Sequence, residues 1–538
     1  MYIFIFIYLI YIFYKSRTSL YMLQQNLYNE NDRYLRWIKR SLDRCYNIID
    51  FFPLMLSIFV LLTNESFVME LIYWSITALY LKGIYDEYNK NLENQNKIKF
   101  NVTSRIKRLY FTEFLIIGLL IVLLIMYNFS FIFLIILLLL NAFIYYFIYL
   151  VNVINKPIEK IVYMYYFNKA KGKLASMNRL SVVGITGSYG KTSSKNILSH
   201  ILEAKYITRP TPKNLNTPYG LMITINNYLD KFDEILVAEM GAYVNGEIEN
   251  MCKFVKPKYG ILTIIGEAHL ETFKTKENIC RAKFELIENL QMDGACVLNR
   301  DDPYQVNYVN NELKNKVKII WIGIDNNDAD FSATNIKSDK NGMNFDFLYQ
   351  EKKYHVETKL LGFHNVYNIL ASIALGVELK VPIDLMIKKV ISLRPTEHRL
   401  EIKKLNNIVM IDDAYNSNPI GAKNALDVLA LMDGIKVVVT PGMIELGSKE
   451  KELNKEFGRQ ISKVADYVIL VGESRTKFIK EGILEDFDKK KLIVINRVVD
   501  AYKILDTIKQ DNISSDIYAL FENDLPDIYS EGVIKNEN

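Results

Sequence analysis

Cysteine is scarce in this chain, and no single sign of charge dominates it. Among 538 residues there are four cysteines, Cys45, Cys252, Cys280 and Cys296, at wide and irregular spacing. That excludes a disulfide framework and most zinc modules, and fits buried thiols in a reducing compartment. Sixty-six Lys and Arg against 61 Asp and Glu leave a net charge of only +5, so a strongly basic nucleic-acid binder is excluded. There is no internal repeat. The N-terminal apolar stretch Tyr2–Tyr14 lacks a basic leading region and a small-residue cleavage site, so it reads as an uncleaved anchor and not a signal peptide.

What is present is unevenly distributed. Residues 1–154 hold 14 of the basic and 10 of the acidic residues, which leaves 52 and 51 for the rest. The near-zero mean hydropathy therefore averages an apolar segment with a richly charged one. A helix needs about 20 apolar residues to span the hydrocarbon core of a bilayer. Phe129–Val151 meets that length, and Phe114–Met126 does so with Tyr110 and Phe111 included. Tyr2–Tyr14, Phe51–Thr63 and Phe67–Leu81 are shorter or weaker, giving an expectation of five spans. Basic residues cluster in 15–49 and 82–108, while Asn64–Ser66 and Tyr127–Asn128 carry none. By the positive-inside rule the clusters and everything after Lys156 face the cytoplasm. The expected location is a cell membrane, multi-pass and in contact with membrane lipid, with the domains after Lys156 cytoplasmic.

From Leu180 onward short β-branched runs alternate with amphipathic helical segments. Examples are Leu180–Ile185, Ile235–Ala238 and Tyr259–Ile265. Such alternation predicts parallel sheets with crossover helices. A second series, Ile408–Ile411, Lys436–Thr440, Tyr467–Val471 and Leu492–Ile495, predicts another α/β domain, with Pro382 and Pro395 near the boundary. The expected fold is N-terminal transmembrane α-helices followed by α/β domains. Its expected parts are a transmembrane domain at 1–154, a linker at 155–179, a central α/β domain with a parallel sheet at 180–395, and a Rossmann-like α/β domain at 396–538.

Between the first of these strands and a predicted helix lies Gly187-Ser188-Tyr-Gly190-Lys191-Thr192. Glycines there let backbone N–H groups surround phosphate oxygens, helped by the positive end of the following helix. Lys191 would neutralise phosphate and the Thr192 hydroxyl would bind Mg²⁺. The general P-loop pattern requires glycine where Ile185 stands, so only G-x-x-G-x-x-G-K-T remains, counted from Gly184.

That narrower pattern, with several blocks in order, resembles the Mur ligases. The blocks are Glu239-Met-Gly241 with Gly246-Glu-Ile248, Gly266-Glu-Ala-His269, and Ala282-Lys283-Phe-Glu285. Then follow Gly362-Phe-His364-Asn365-Val-Tyr-Asn368, His398-Arg399-Leu-Glu401 and Asp412-Asp413-Ala-Tyr415-Asn416-Ser-Asn418-Pro419. The resemblance implies an ATP-dependent ligase that joins an amino acid or dipeptide to a peptidoglycan precursor through an acyl phosphate. It implies ATP and two Mg²⁺ as cofactors. Thr192, Glu239, His269 and a carbamylated Lys283 would be the metal ligands. Lys191, Glu239, His269 and Lys283 would be the catalytic set. Gly187, Ser188, Gly190, Lys191 and Thr192 would hold phosphate, Asn365 and Asn368 adenine, Arg399 phosphate and Asp413 ribose. Together with Gly442-Met443-x-Glu445-Leu446-Gly447, the Asp413 block is similar to the branch that adds D-alanyl-D-alanine to a muramoyl-peptide.

The chain also departs from the family. Soluble members begin with a domain that grips the UDP end of the precursor, a place taken here by the apolar segment, so the acceptor is expected to be nucleotide- or lipid-linked. Near the end, Leu520–Asp527 stands where members carry a Lys-Gly-Ser-type motif, and it reads first as a solvated loop and second as an amine-binding acidic run. Two further alternatives are a related ligase that adds another amine and a non-catalytic, ATP-binding pseudo-ligase. A transport ATPase is excluded because neither a signature motif of the LSGGQ kind nor an apolar run ending in Asp-Glu follows the loop.

Overall fold

The structure, a computed structural model, describes residues 2–46, 50–55, 57, 66–92, 100–127, 131–267, 270–326, 328–405, 408–415, 417–444 and 446–523. These form two compact units, one up to Tyr165 and one from Tyr166.

The first unit is helical, with α1 (Tyr2–Gln25), α2 (Ser66–Leu92), α3 (Ser104–Met126), α4 (Phe131–Ala142) and α5 (Ile144–Ala175, whose end belongs to the second unit). Among the described residues, α1 and α3 are long and apolar enough to cross a membrane, and the α4–α5 pair adds a third if it counts as one span. The expectation of five spans is not met among these residues, and most of Phe51–Thr63 lies outside them. The run Phe129–Val151 is also not one straight helix, because α4 and α5 meet at 93°. A distant side chain accompanies the bend: Lys15 Nζ, from α1, donates to the Asn141 carbonyl at 2.8 Å just before it. Lys15 also pairs with Asp50 at 2.5 Å, Tyr11 donates to Asp50 at 2.9 Å, and Ser16 donates to the buried Glu113. Buried charges are tolerated only when partnered in this way.

The second unit holds two sheets. The first contains β1 (Ser181–Thr186), β2 (Thr208–Pro210), β3 (Ile235–Glu239), β4 (Tyr259–Leu262), β5 (Ala295–Asn299), β6 (Lys318–Gly323), β7 (Phe331–Asp339), β8 (Gly342–Tyr349) and β9 (Lys352–Thr358). Their order is β2-β3-β1-β4-β5-β6-β7-β8-β9, parallel through β7 and antiparallel from there to β9. The parallel strands are short and apolar because helices cover both faces. Helices α6 (Lys191–Leu202) and α8 (His364–Glu378) pack Ile197, Leu198, Ile369 and Ile373 with Val183, Ile185 and Val237. On the opposite face a Cβ at Gly184 would strike Leu286 of α7 (Lys276–Glu288), so glycine lets that helix approach.

The second sheet has the order β10-β11-β15-β12-β13-β14 and is parallel except for its edge strand β10. These strands are β10 (Glu401–Leu405), β11 (Ile408–Asp413), β12 (Ile435–Thr440), β13 (Tyr467–Val471), β14 (Leu492–Ile495) and β15 (Ile517–Glu522). Leu520–Glu522 are thus the end of a buried central strand and not part of a solvated loop. Parallel pairing with β11 on one side and β12 on the other places this strand between them, with all six residues Ile517–Glu522 buried. Asp524–Asp527 lie outside the described residues.

Candidate active site

The site forms where β1 and β3 end and α6 begins. Gly187 has φ +145°, and a Cβ there would strike Thr263 Oγ1 and stand 3.2 Å from the Ile264 nitrogen. Only glycine lets the loop lie this close to the segment after β4. Ser188 stitches the same edge, its N–H donating to Ile264 O at 2.8 Å and its hydroxyl to Gly266 O at 3.0 Å. Gly190, with φ +79°, turns the chain into α6. Lys191 reaches back over the loop, donating to Gly187 O at 2.8 Å and Ser188 O at 3.0 Å. Burial pushes its ammonium down to about 8, with Arg399 pushing the same way and Glu239 opposing.

Glu239, the last residue of β3, is buried. Its Oε1 accepts from Thr192 Oγ1 at 3.1 Å and from Asn216 Nδ2 at 3.0 Å, and its backbone N–H donates to Thr211 Oγ1 at 3.1 Å. Its Oε2 lies 3.1 Å from Lys195 Nζ. Lys195, Asn216 and Thr211 were absent from the sequence-based set. The available signal was spacing, since Lys195 lies one helical turn beyond Lys191 on the same side of α6. Lys283, from α7, is also buried, donating to Ala242 O at 3.4 Å and standing over the Phe273 ring at 5.5 Å. Burial is the main reason its amine is pushed down to about 7, with the nearby Lys191 charge adding to it. Glu285, two residues on, caps the helix Glu247–Val255 by accepting from Gly246 and Glu249 N–H at 2.6 and 3.0 Å.

A cavity of about 220 Å³ is lined by Ser188, Gly190, Lys191, Thr192, Glu239 and Lys283, with Arg399 and Tyr415 closing it from the other side. A second of about 100 Å³ is lined by His364, Tyr367, Asn368, Asp413 and Asn424 among others. The structure thus brings together the loop residues, Glu239, Lys283 and Arg399, with Asn368 and Asp413 adjoining. Asn365 lines a third cavity, of about 260 Å³. It donates to Leu361 O at 2.8 Å and accepts from Asn368 Nδ2 at 3.0 Å. Asn368 in turn accepts from the Ser194 hydroxyl at 2.9 Å. His269 lies outside the described residues, as do Asn416 and Glu445.

The connector to the second sheet is held tightly. His398 and Leu400 have φ of +57° and +48°, flanking Arg399, whose guanidinium stacks on Tyr415 at 4.5 Å. His398 Nδ1 lies 2.8 Å from Asp412 Oδ2, and Lys403 bridges Asp412 and Glu401, so that acidic cluster already contains a cation. Asp413 accepts from Leu400 N–H at 3.2 Å. Its register partner on β15 is Glu522, a buried carboxyl the sequence-based set omitted. Burial pushes Asp413 up to about 6, against Arg399 and a hydrogen bond from Glu522. Glu522 is pushed up further, by burial and the Asp413 charge, and accepts from Ser417 Oγ at 2.6 Å.

Comparison with known proteins supplies the family. Residues 185–376 match the Mur ligase middle domain, and residues 398–515 match the Mur ligase glutamate ligase domain. The UDP-N-acetylmuramoyl-tripeptide--D-alanyl-D-alanine ligase of Bacillus subtilis is 30% identical over 340 residues, covering 62% of this chain and 71% of that enzyme. The enzyme of the same name from Escherichia coli is 31% identical, covering 63% and 76%. Among solved structures, the MurF ligase of Thermotoga maritima in complex with ADP superimposes with a TM-score of 0.59 at 28% identity, over 67% of this chain and 80% of that one. MurF from Acinetobacter baumannii gives 0.61 at 27%, over 67% and 77%. Fold and site define an ATP-dependent ligase. The chain belongs to the Mur ligase family, whose members use ATP and Mg²⁺.

Proposed function

We propose that this chain adds D-alanyl-D-alanine to a muramoyl-peptide precursor with hydrolysis of ATP. The observation that carries this is the convergence of Lys191, Thr192, Glu239, Lys283 and Arg399 on one cavity, in a chain whose relatives bear that enzyme's name. A carboxylate is a poor electrophile in water, so it first attacks the ATP γ-phosphate, the bond to the β-phosphate breaks and ADP leaves, giving an acyl phosphate. The amine then displaces phosphate. Carboxylate and triphosphate repel each other, and Lys191 and Arg399 offset that charge. The loop Gly187–Thr192 is a P-loop, the second sheet is a Rossmann-like domain, and Asn365, Asn368 and Asp413 take the adenosine. We assign residues 1–154 to membrane attachment, 155–179 to a linker, 180–395 to the ATPase domain and 396–538 to the ligase domain.

The donor set fits Mg²⁺, because Thr192 Oγ1 and Glu239 Oε1 are hard oxygens 3.1 Å apart. His269 and a carbamylated Lys283 complete the set we propose for two ions. A buried amine pushed down to about 7 supports carbamylation, since only the neutral form takes up CO₂. The ions would supply charge neutralisation to the phosphates.

Ligation by the full-length chain across UDP-linked and lipid-linked muramoyl-peptides, with D-Ala-D-Ala and other amines, tests this by mass spectrometry. A D-Ala-D-Ala adduct is expected. Products only with another amine indicate the related ligase, and nucleotide binding without any product indicates the pseudo-ligase. Removing residues 1–154 tests their role: full activity of the remainder on the UDP-linked precursor argues against a lipid-linked acceptor.

A further inference from the structure

The two oxygens of Glu239 are held by different groups. Oε1 is on the side of Thr192 and Asn216, which line the 220 Å³ cavity. Oε2 accepts no aligned hydrogen bond and instead faces the Lys195 ammonium at 3.1 Å, with both side chains 2% exposed. Lys195 cannot easily move away, because its Nζ also donates to Lys213 O at 2.7 Å. The arrangement does more than neutralise a buried carboxylate. It occupies one oxygen and leaves the other toward the cavity.

We propose that Lys195 is a positioning residue that sets divalent-cation specificity, by covering Oε2 so that Glu239 offers a single oxygen. This rests on the reading of Glu239 and Thr192 as metal ligands. Mg²⁺ is small, demands near-ideal octahedral geometry and is satisfied by one oxygen from a carboxylate, whereas Ca²⁺ takes six to eight ligands and readily uses both. A carboxylate with one oxygen held by an ammonium favours the first ion over the second. The Lys195 charge also repels any divalent cation, but equally for both. The Mg²⁺ to Ca²⁺ ratio therefore isolates the geometric effect from the electrostatic one. A merely structural lysine would lower or raise both affinities together.

The experiment uses the full chain in detergent with ADP. Bound Mn²⁺ is followed by electron paramagnetic resonance and displaced by Mg²⁺ or Ca²⁺. Wild type should release Mn²⁺ to Mg²⁺ in preference to Ca²⁺. Lys195→Met should shift that preference toward Ca²⁺ by about tenfold or more, the range seen when a ligand's outer partner is removed. Lys195→Arg, which keeps a cationic donor, should retain the wild-type preference. An unchanged ratio in Lys195→Met, or a shift toward Ca²⁺ in Lys195→Arg, overturns the proposal. Infrared difference spectra of the wild-type chain on Mg²⁺ loading need no variant, and a two-oxygen carboxylate signature there would also overturn it. Glu239→Gln should lose Mn²⁺ binding. If it binds as wild type does, the metal-site reading fails instead.

Discussion

At the scale of single residues, the buried cations and carboxyls carry the sharpest consequences. Lys191→Met should leave the fold intact, read by its melting temperature, and reduce ligation by roughly 10²–10³-fold, the usual loss when one preorganised charge-stabilising group is removed. Asp413 makes a pH prediction. Its carboxyl is held up at about 6, and only the carboxylate accepts strongly from ribose hydroxyls. ADP affinity should therefore fall as pH drops through about 6, measured by calorimetry between pH 5 and 8. A protonated Glu522 beside Asp413 would hold the Asp413 carboxyl down, so Glu522→Ala should move that midpoint upward. The reverse shift would refute this pairing. Lys191, Lys283, Arg399 and Asp413 each stood out in a dense local sequence pattern, and the structure gathers them around two cavities. Glu522 did not, because its meaning depends on Asp413 of β11, and Lys195 carried only its spacing from Lys191, its partner Glu239 lying at the end of β3.

At the scale of elements, the alternation of short apolar strands with helices was legible: β1 and β3 fall where it placed them, and β4 ends three residues short of the expected run. The antiparallel strands β7–β9 were not foreseen, although Met343, Phe345 and Phe347 alternate inward as a one-sided sheet requires. The bend between α4 and α5 had no adequate local signal, since the lysine beside it lies on α1. Two substitutions test how the elements hold the site. Gly187→Ala places a methyl against Thr263 in a left-handed backbone region, so it should weaken ADP binding and cost about 1–3 kcal/mol of stability by denaturant titration. Asn418 caps the helix Pro419–Ala430 through Gly421 N–H at 2.8 Å, and Asn418→Ala should cost about 1 kcal/mol.

At the scale of the whole molecule, composition separated an apolar helical region from a charged α/β region, and the described helices keep that division. The number of spans was less legible, because hydropathy measures apolar length and is blind to a bend. If α1 and α3 cross a bilayer as we propose, the chain should stay in the membrane pellet after alkaline carbonate washing. Recovery in the supernatant would count against that. Within the second unit, Glu267 receives Lys276 at 3.1 Å and Lys449 at 2.9 Å, linking the first sheet's surroundings to the segment after β12. These partly exposed pairs are screened by salt.

The connector around Arg399 has a pharmacological consequence. Arg399 lines all three cavities, and its backbone lies between two non-glycine residues in left-handed conformations. A small anion seated against it need not resemble ATP to inhibit. Because Arg399 is also the group we propose to offset the charge of the ATP phosphates, such an anion would compete with ATP, and added ATP would relieve the block.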